Sequence, residues 1–83
     1  MDLEARVIAT LAKVFRVHPG SIPATARMGD FPSWDSMGHM ELIVTLERDF
    51  GVTFPTYRLA DLVSVPAIAH ALRELGASDE ASP

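Results

Sequence analysis

The sequence predicts an all-α fold, a small four-helix bundle of three main helices and one short helix. Apolar residues recur every three or four positions in separate segments, which is typical of helices with one buried face. Prolines and glycines separate these segments. At 83 residues and 48% hydrophobic composition, the chain has the size of one domain and is too apolar to be fully disordered.

The first helix is expected at about residues 3–16. Its apolar stripe consists of Leu3, Val7, Leu11, Val14 and Phe15. Pro19 and Gly20 break the pattern, and we expect a long loop over residues 17–35. Loops of this length are uncommon in compact domains, so we expect its hydrophobic residues to hold it against the core. These are Val17, Ile22, Met28 and Phe31.

The second helix is expected at residues 36–50, because Gly51 is suited to the position just after a helix end. A short helical segment at 57–62 should turn Leu59 and Leu62 inward. Ser64 is a suitable cap for the last helix, and Pro66 is tolerated in its first turn.

The apolar face of the last helix is expected to comprise Ile68, Ala69, Leu72 and Leu75. The polar sequence that follows is typical of a frayed end. We therefore predict one domain over residues 1–76 and a disordered tail over 77–83.

Composition excludes several classes of function. The chain has no cysteine, which rules out disulfides and thiolate metal sites. The N-terminal segment carries acids where a secretory signal carries bases, and no apolar run reaches the roughly 20 residues that span a bilayer. We expect a cytoplasmic monomer that does not insert into membranes.

The negative charge is concentrated around the second helix. Residues 30–49 hold five acids and one base, a net charge of −4, while the remaining residues hold six acids and six bases. Nucleic acid is therefore not an expected partner, because phosphate backbones select clustered Lys and Arg. A basic protein surface is the natural complement.

A helical wheel of residues 36–50 shows two apolar arcs. The core arc contains Leu42, Ile43, Leu46 and Phe50. A second arc contains Met37, Met40 and Val44, with Glu41 and Glu47 beside it. One interpretation is a deeply buried helix in which Met fills gaps. The other is an exposed apolar surface rimmed by acids, which the local charge favours.

Ser36 stands at the start of this helix, where a serine can have three roles. A catalytic serine needs a base and an oxyanion hole. His39 is three residues away but points toward the core arc, and no nucleophile elbow surrounds the serine. Ser36 could instead cap the helix, or carry a phosphate-linked group, which a helix N-terminus favours. The histidines His18, His39 and His70 lack the spacing of metal ligands.

The segment "DSMGHMELIVTLERDFGV" resembles the D-S-L-x-x-x-E-L-x-x-x-L-E-x-x-F segment of acyl carrier proteins, and the likeness extends over about residues 3–75. The resemblance implies a non-catalytic, stand-alone carrier. Ser36 would receive the 4′-phosphopantetheine arm of coenzyme A from a phosphopantetheinyl transferase, and Asp35 would help bind that enzyme and its magnesium. The thiol that the chain lacks would come from the arm.

The resemblance also implies docking on acyl-loading and acyl-transfer enzymes with basic patches. The expected docking residues are Met37, Met40, Glu41, Val44 and Glu47, together with Trp34. "WDSMGHM" is similar to carriers of specialised pathways, such as polyketide extender-unit, secondary-metabolite or surface-polysaccharide pathways. Arg48 interrupts the usual acidic run and argues against standard fatty-acid synthase partners.

Several alternatives stay open at this point. Trp34 either anchors the loop or lines the surface where the arm rests. Gly38 either loosens the first turn, admits a partner backbone or has no role, and His39 is expected to be packed or hydrogen-bonded. The cargo could be aminoacyl or peptidyl rather than acyl. A small helical interaction domain without a prosthetic group is the alternative from another class.

Overall fold

The computed structural model describes residues 2–77, which form the predicted helical bundle. Its main helices are α1 at Leu3–Phe15, α2 at Ser36–Phe50 and α3 at Val65–Glu74. A short 3₁₀ helix at Thr56–Asp61 is the expected minor helix. A further 3₁₀ turn at Pro19–Ser21 was not predicted.

The helix ends follow local chemistry. The Asp2 side chain accepts a hydrogen bond from the N–H of Ala5 at the start of α1. Ser64 accepts one from Ala67 at the start of α3, as expected. Gly51, with φ of 66°, ends α2 in the left-handed conformation that glycine adopts without strain. Arg16 is left-handed as well, so α1 is one residue shorter than predicted.

One hydrophobic core joins the three main helices. The fully buried large side chains are Leu3, Val7, Leu11, Trp34, Leu42, Leu46, Leu62, Val65, Ile68 and Leu72. The prediction for α3 is confirmed for Ile68, Ala69 and Leu72 but is wrong for Leu75, which is exposed. Helix α3 ends at Glu74 and Leu75 is its C-cap, so the helical periodicity no longer determines where the side chain of Leu75 lies.

The long loop between α1 and α2 is held against the core, as predicted. Ile22 is buried, and Val17, Met28 and Phe31 are partly buried against the core. The loop also pairs with the segment before α3. The N–H of Met28 donates to the carbonyl of Val63 at 2.7 Å, and the N–H of Val65 donates to Ala26 at 2.9 Å.

The folded part extends one residue beyond the predicted boundary. Ala77 packs against the core, and its N–H donates to the carbonyl of Leu72 at 2.9 Å. The expectation that the tail begins at residue 77 is therefore wrong for that residue. The rest of the predicted tail, 78–83, lies outside the described residues.

Candidate functional site

Ser36 is the first residue of α2, but it does not cap the helix. The cap is Asp35, whose Oδ1 accepts a hydrogen bond of 2.9 Å from the N–H of Gly38. The side chain of Ser36 is exposed. No hydrogen bond occupies its hydroxyl within residues 2–77. The interpretation that Ser36 caps α2 is therefore wrong, because Asp35 is the cap.

Trp34 anchors the segment that precedes Ser36. Its side chain is completely buried and stacks on Phe15 and Phe31, with ring centroids 5.7 and 6.1 Å apart. Its indole Nε1–H donates a hydrogen bond of 3.1 Å to Nδ1 of His39. The expectation that Trp34 contacts partners or the arm is wrong, because no part of the ring reaches the surface. The expectation that His39 is packed and hydrogen-bonded is confirmed.

Gly38 allows the preceding loop to approach α2 closely. A Cβ on Gly38 would lie 1.9 Å from the backbone oxygen of Ser33 and 3.0 Å from a ring carbon of Phe15. Because that oxygen belongs to the backbone, the backbone would have to move to accept a side chain at this position. The backbone that approaches Gly38 closely therefore belongs to the chain's own loop and not to a partner.

The two apolar arcs of α2 have different environments. Leu42, Ile43 and Leu46 are buried, whereas Met37, Met40 and Val44 have exposed fractions of 84%, 51% and 57%. The deep-burial interpretation is therefore wrong, and the second arc is an exposed apolar surface. We call Met37, Met40 and Val44 the outer face of α2.

The acids around α2 are largely occupied within the chain. The side chain of Asp30 accepts from the N–H of Arg27, and Asp49 accepts from Lys13 at 2.6 Å. Glu47 is half-buried, and its Oε2 accepts a hydrogen bond of 2.8 Å from the N–H of Phe54. One oxygen of Glu47 thus has a structural task.

Glu41 differs from the other acids of this region. It is exposed, and its carboxylate has no hydrogen-bond partner in the described part of the chain. It lies next to Met40 on α2. It is therefore the acid of this region whose charge is most available to a second molecule.

The three histidines have contacts other than Ser36. His39 uses Nδ1 for Trp34, and its Nε2 is buried. The His18 side chain accepts from the N–H of Gly20, and His70 lies 3.6 Å from Glu74. Residues 2–77 contain no group of three or more side chains that could hold a metal ion.

Comparison with known families decides the class of this chain. A family model described as the phosphopantetheine attachment site matches residues 5–72, from α1 into α3. The chain belongs to this family. No solved structure matches the chain. Among residues 2–77, no helix is long and apolar enough to cross a membrane.

Membership establishes the coarse function of this carrier protein. The domain of this family is a non-catalytic carrier that bears covalent 4′-phosphopantetheine on a serine, added by a phosphopantetheinyl transferase. The alternative of an interaction domain without a prosthetic group is thereby overturned. The expected four-helix carrier fold is confirmed.

The residues of this carrier protein fit the group. At Ser36 an exposed hydroxyl stands beside the first N–H groups of α2, where a phosphate ester is favoured. When bound, the group supplies the thiol that forms thioesters, and the chain itself has no cysteine.

Proposed function

We propose that Ser36 is the attachment residue and that the chain acts as a monomeric acyl carrier protein of the cytoplasm. The observation that carries this proposal is the division of tasks between two neighbours. Asp35 caps α2, so the exposed hydroxyl of Ser36 is left without an internal partner. A modifying enzyme can therefore reach it without breaking a hydrogen bond of the fold.

Asp35 is proposed to take part in modification as well. It is exposed, and the cap bond engages its Oδ1. The second carboxylate oxygen can face the transferase and its magnesium, since hard cations prefer carboxylate oxygens. Asp35 would thus orient the helix start and approach the metal of the bound enzyme at the same time.

We further propose that the outer face of α2 docks on enzymes with basic patches. Its three apolar side chains are exposed, and Met adapts to differently shaped partners. Glu41 and Glu47 would add charge, which steers association and orients the complex more than it tightens it. Docking should therefore weaken as salt concentration rises. Trp34 is left out because it is buried.

The cargo is proposed to be an acyl group of a specialised pathway, such as polyketide, secondary-metabolite or surface-polysaccharide synthesis. The support is the likeness of "WDSMGHM" to carriers of such pathways, together with Arg48 in the acidic run. Loading assays test the cargo class. Transfer of acyl groups from coenzyme A thioesters is expected, whereas loading by amino-acid-adenylating enzymes alone would identify an aminoacyl or peptidyl carrier.

Intact-mass measurement tests the attachment residue. Purified unmodified protein is incubated with coenzyme A and a broad-specificity phosphopantetheinyl transferase. The wild type and Ser33→Ala, an exposed serine three residues away, should each gain one arm, and Ser36→Ala should gain none. An unchanged wild-type mass, or an equal gain in Ser36→Ala, rejects the proposal.

A further inference from the structure

Trp34 and His39 join the two ends of the segment that contains Ser36. The indole Nε1–H donates to Nδ1 of His39 at 3.1 Å, and the rings stack with centroids 6.4 Å apart. Both side chains are buried, while Asp35 and Ser36 between them are exposed. A buried bond therefore spans an exposed turn.

Burial alone does not explain why position 39 is a histidine and not an apolar residue. Since Nδ1 accepts the indole N–H, the neutral ring carries its proton on Nε2. That Nε2 is buried without a hydrogen-bond partner in the described residues, an arrangement that costs stability. An aliphatic side chain would avoid this orphan donor. What the histidine adds is the acceptor for Trp34.

Backbone contacts hold the same segment from outside. The carbonyl of Trp34 accepts from the N–H of Gly29 at 3.1 Å, and the N–H of Trp34 donates to Phe31 at 3.0 Å. On the helix side, Gly38 lies against the oxygen of Ser33. Ordered contacts thus flank the turn at Ser36 on both sides. Two side-chain bonds connect those sides, the exposed cap from Asp35 to the N–H of Gly38 and the buried indole–imidazole bond.

We propose that the Trp34–His39 hydrogen bond positions Ser36 for the transferase, an inference that rests on the proposed function. It keeps the turn before α2 in the conformation that the enzyme binds. Without the bond the turn samples other conformations, and apparent affinity falls by the fraction of time spent in them. Both side chains are positioning residues, since neither reaches the hydroxyl that reacts.

Three variants separate positioning from folding. His39→Leu removes the acceptor but also the orphan Nε2 donor, so the two effects on stability oppose each other. His39→Asn retains an acceptor at the place of Nδ1. Trp34→Phe retains a buried ring and removes the donor. Each full chain, in its unmodified form, is the substrate in transferase kinetics at a temperature where it is folded.

His39→Leu and Trp34→Phe should raise KM for the carrier about three- to tenfold, the effect of one lost hydrogen bond, with kcat within about twofold of the wild type. KM for His39→Asn should stay close to the wild-type value. Trp34 is the one tryptophan in the chain, so its indole N–H gives a single NMR resonance. The chemical shift of this resonance should differ from the wild-type value in His39→Leu and stay close to it in His39→Asn.

The outcomes distinguish the two proposals. If the wild type gains no arm, the proposed function fails. If the wild type is modified and a folded His39→Leu or Trp34→Phe has an unchanged KM, the positioning role alone is overturned. If neither variant folds, the test is hydrogen exchange of the Trp34 indole N–H in the wild type. Exchange as fast as that of a free indole overturns the positioning role, and protection from exchange supports it.

Discussion

Gly38 of α2 lies so close to the loop that a Cβ at this position would be 1.9 Å from the backbone oxygen of Ser33. Glycine inside a helix ordinarily lowers stability relative to alanine. Here it permits the loop that carries Trp34 to pack against the first turn of α2. The packing of the loop, rather than helix propensity, explains this residue.

Gly38→Ala is therefore expected to destabilise the domain by about 1–2 kcal/mol, because the overlap outweighs the better helix propensity of alanine. Urea unfolding measures the change in the free energy of unfolding. Propensity alone predicts the opposite sign. A variant more stable than the wild type would show that the loop does not pack on Gly38.

Met40→Glu should leave the fold intact and slow modification or acyl transfer. Met40 is half exposed on the outer face of α2, and a charge there opposes burial against a partner. The measurement is KM for the transferase, with circular dichroism as the test of folding. Ala9→Glu introduces the same charge at an exposed site on α1 and serves as the matched control. Unfolding of Met40→Glu would place that side chain in the core.

Leu46→Ala should cost about 2–5 kcal/mol of unfolding free energy, as large-to-small changes in a packed core do. Leu46 is completely buried. Val44→Ala, on the exposed side of the same helix, is the comparison and should change stability by less than about 0.5 kcal/mol. Equal effects of the two substitutions would contradict the assignment of the two faces.

Glu47→Ala should destabilise the domain by about 1–3 kcal/mol, because it removes the acceptor of the Phe54 N–H. Glu47→Gln keeps an acceptor and should lose less. Urea unfolding ranks the three proteins. If Glu47→Ala is as stable as the wild type while its transferase KM rises, Glu47 acts in docking and the hydrogen bond is energetically unimportant.

Glu74 offers a prediction about pH. Its hydrogen bond and charge interaction with Arg58, with a smaller contribution from His70, lower the pKa of the carboxyl below its ordinary value. A lowered folded-state pKa contributes stability that is present above the unfolded value of about 4.3 and is lost as pH falls through the folded value. The pair is exposed, so the contribution is small.

An NMR titration of the Glu74 carboxyl measures this shift directly. Arg58→Met should bring the pKa back toward the ordinary glutamate value, because the principal cause is removed. An unchanged pKa in Arg58→Met would mean that the ion pair does not form in solution.

Most of the fold could be predicted from the sequence, because local chemistry sets the helix ends and the buried faces. Helix bounds depend on caps and breakers that lie close together along the chain, so Gly51 and Ser64 were recognisable as the residues that end α2 and begin α3. The two arcs of α2 were also visible, because helical periodicity assigns a face to each residue. The pattern around Ser36 likewise indicated the family.

The tertiary structure decided the questions that depend on residues from different segments. Periodicity could not show which of Asp35 and Ser36 caps α2, since both types of side chain cap helices. The position of Trp34 just before Ser36 suggested a contact residue, whereas the rings of Phe15 and Phe31 bury it. Helix propensity alone makes Gly38 unfavourable, whereas the folded chain places the carbonyl of Ser33 beside it. The physical reason is that burial and close contact arise from the whole packed chain, while caps and periodicity arise within a few neighbouring residues.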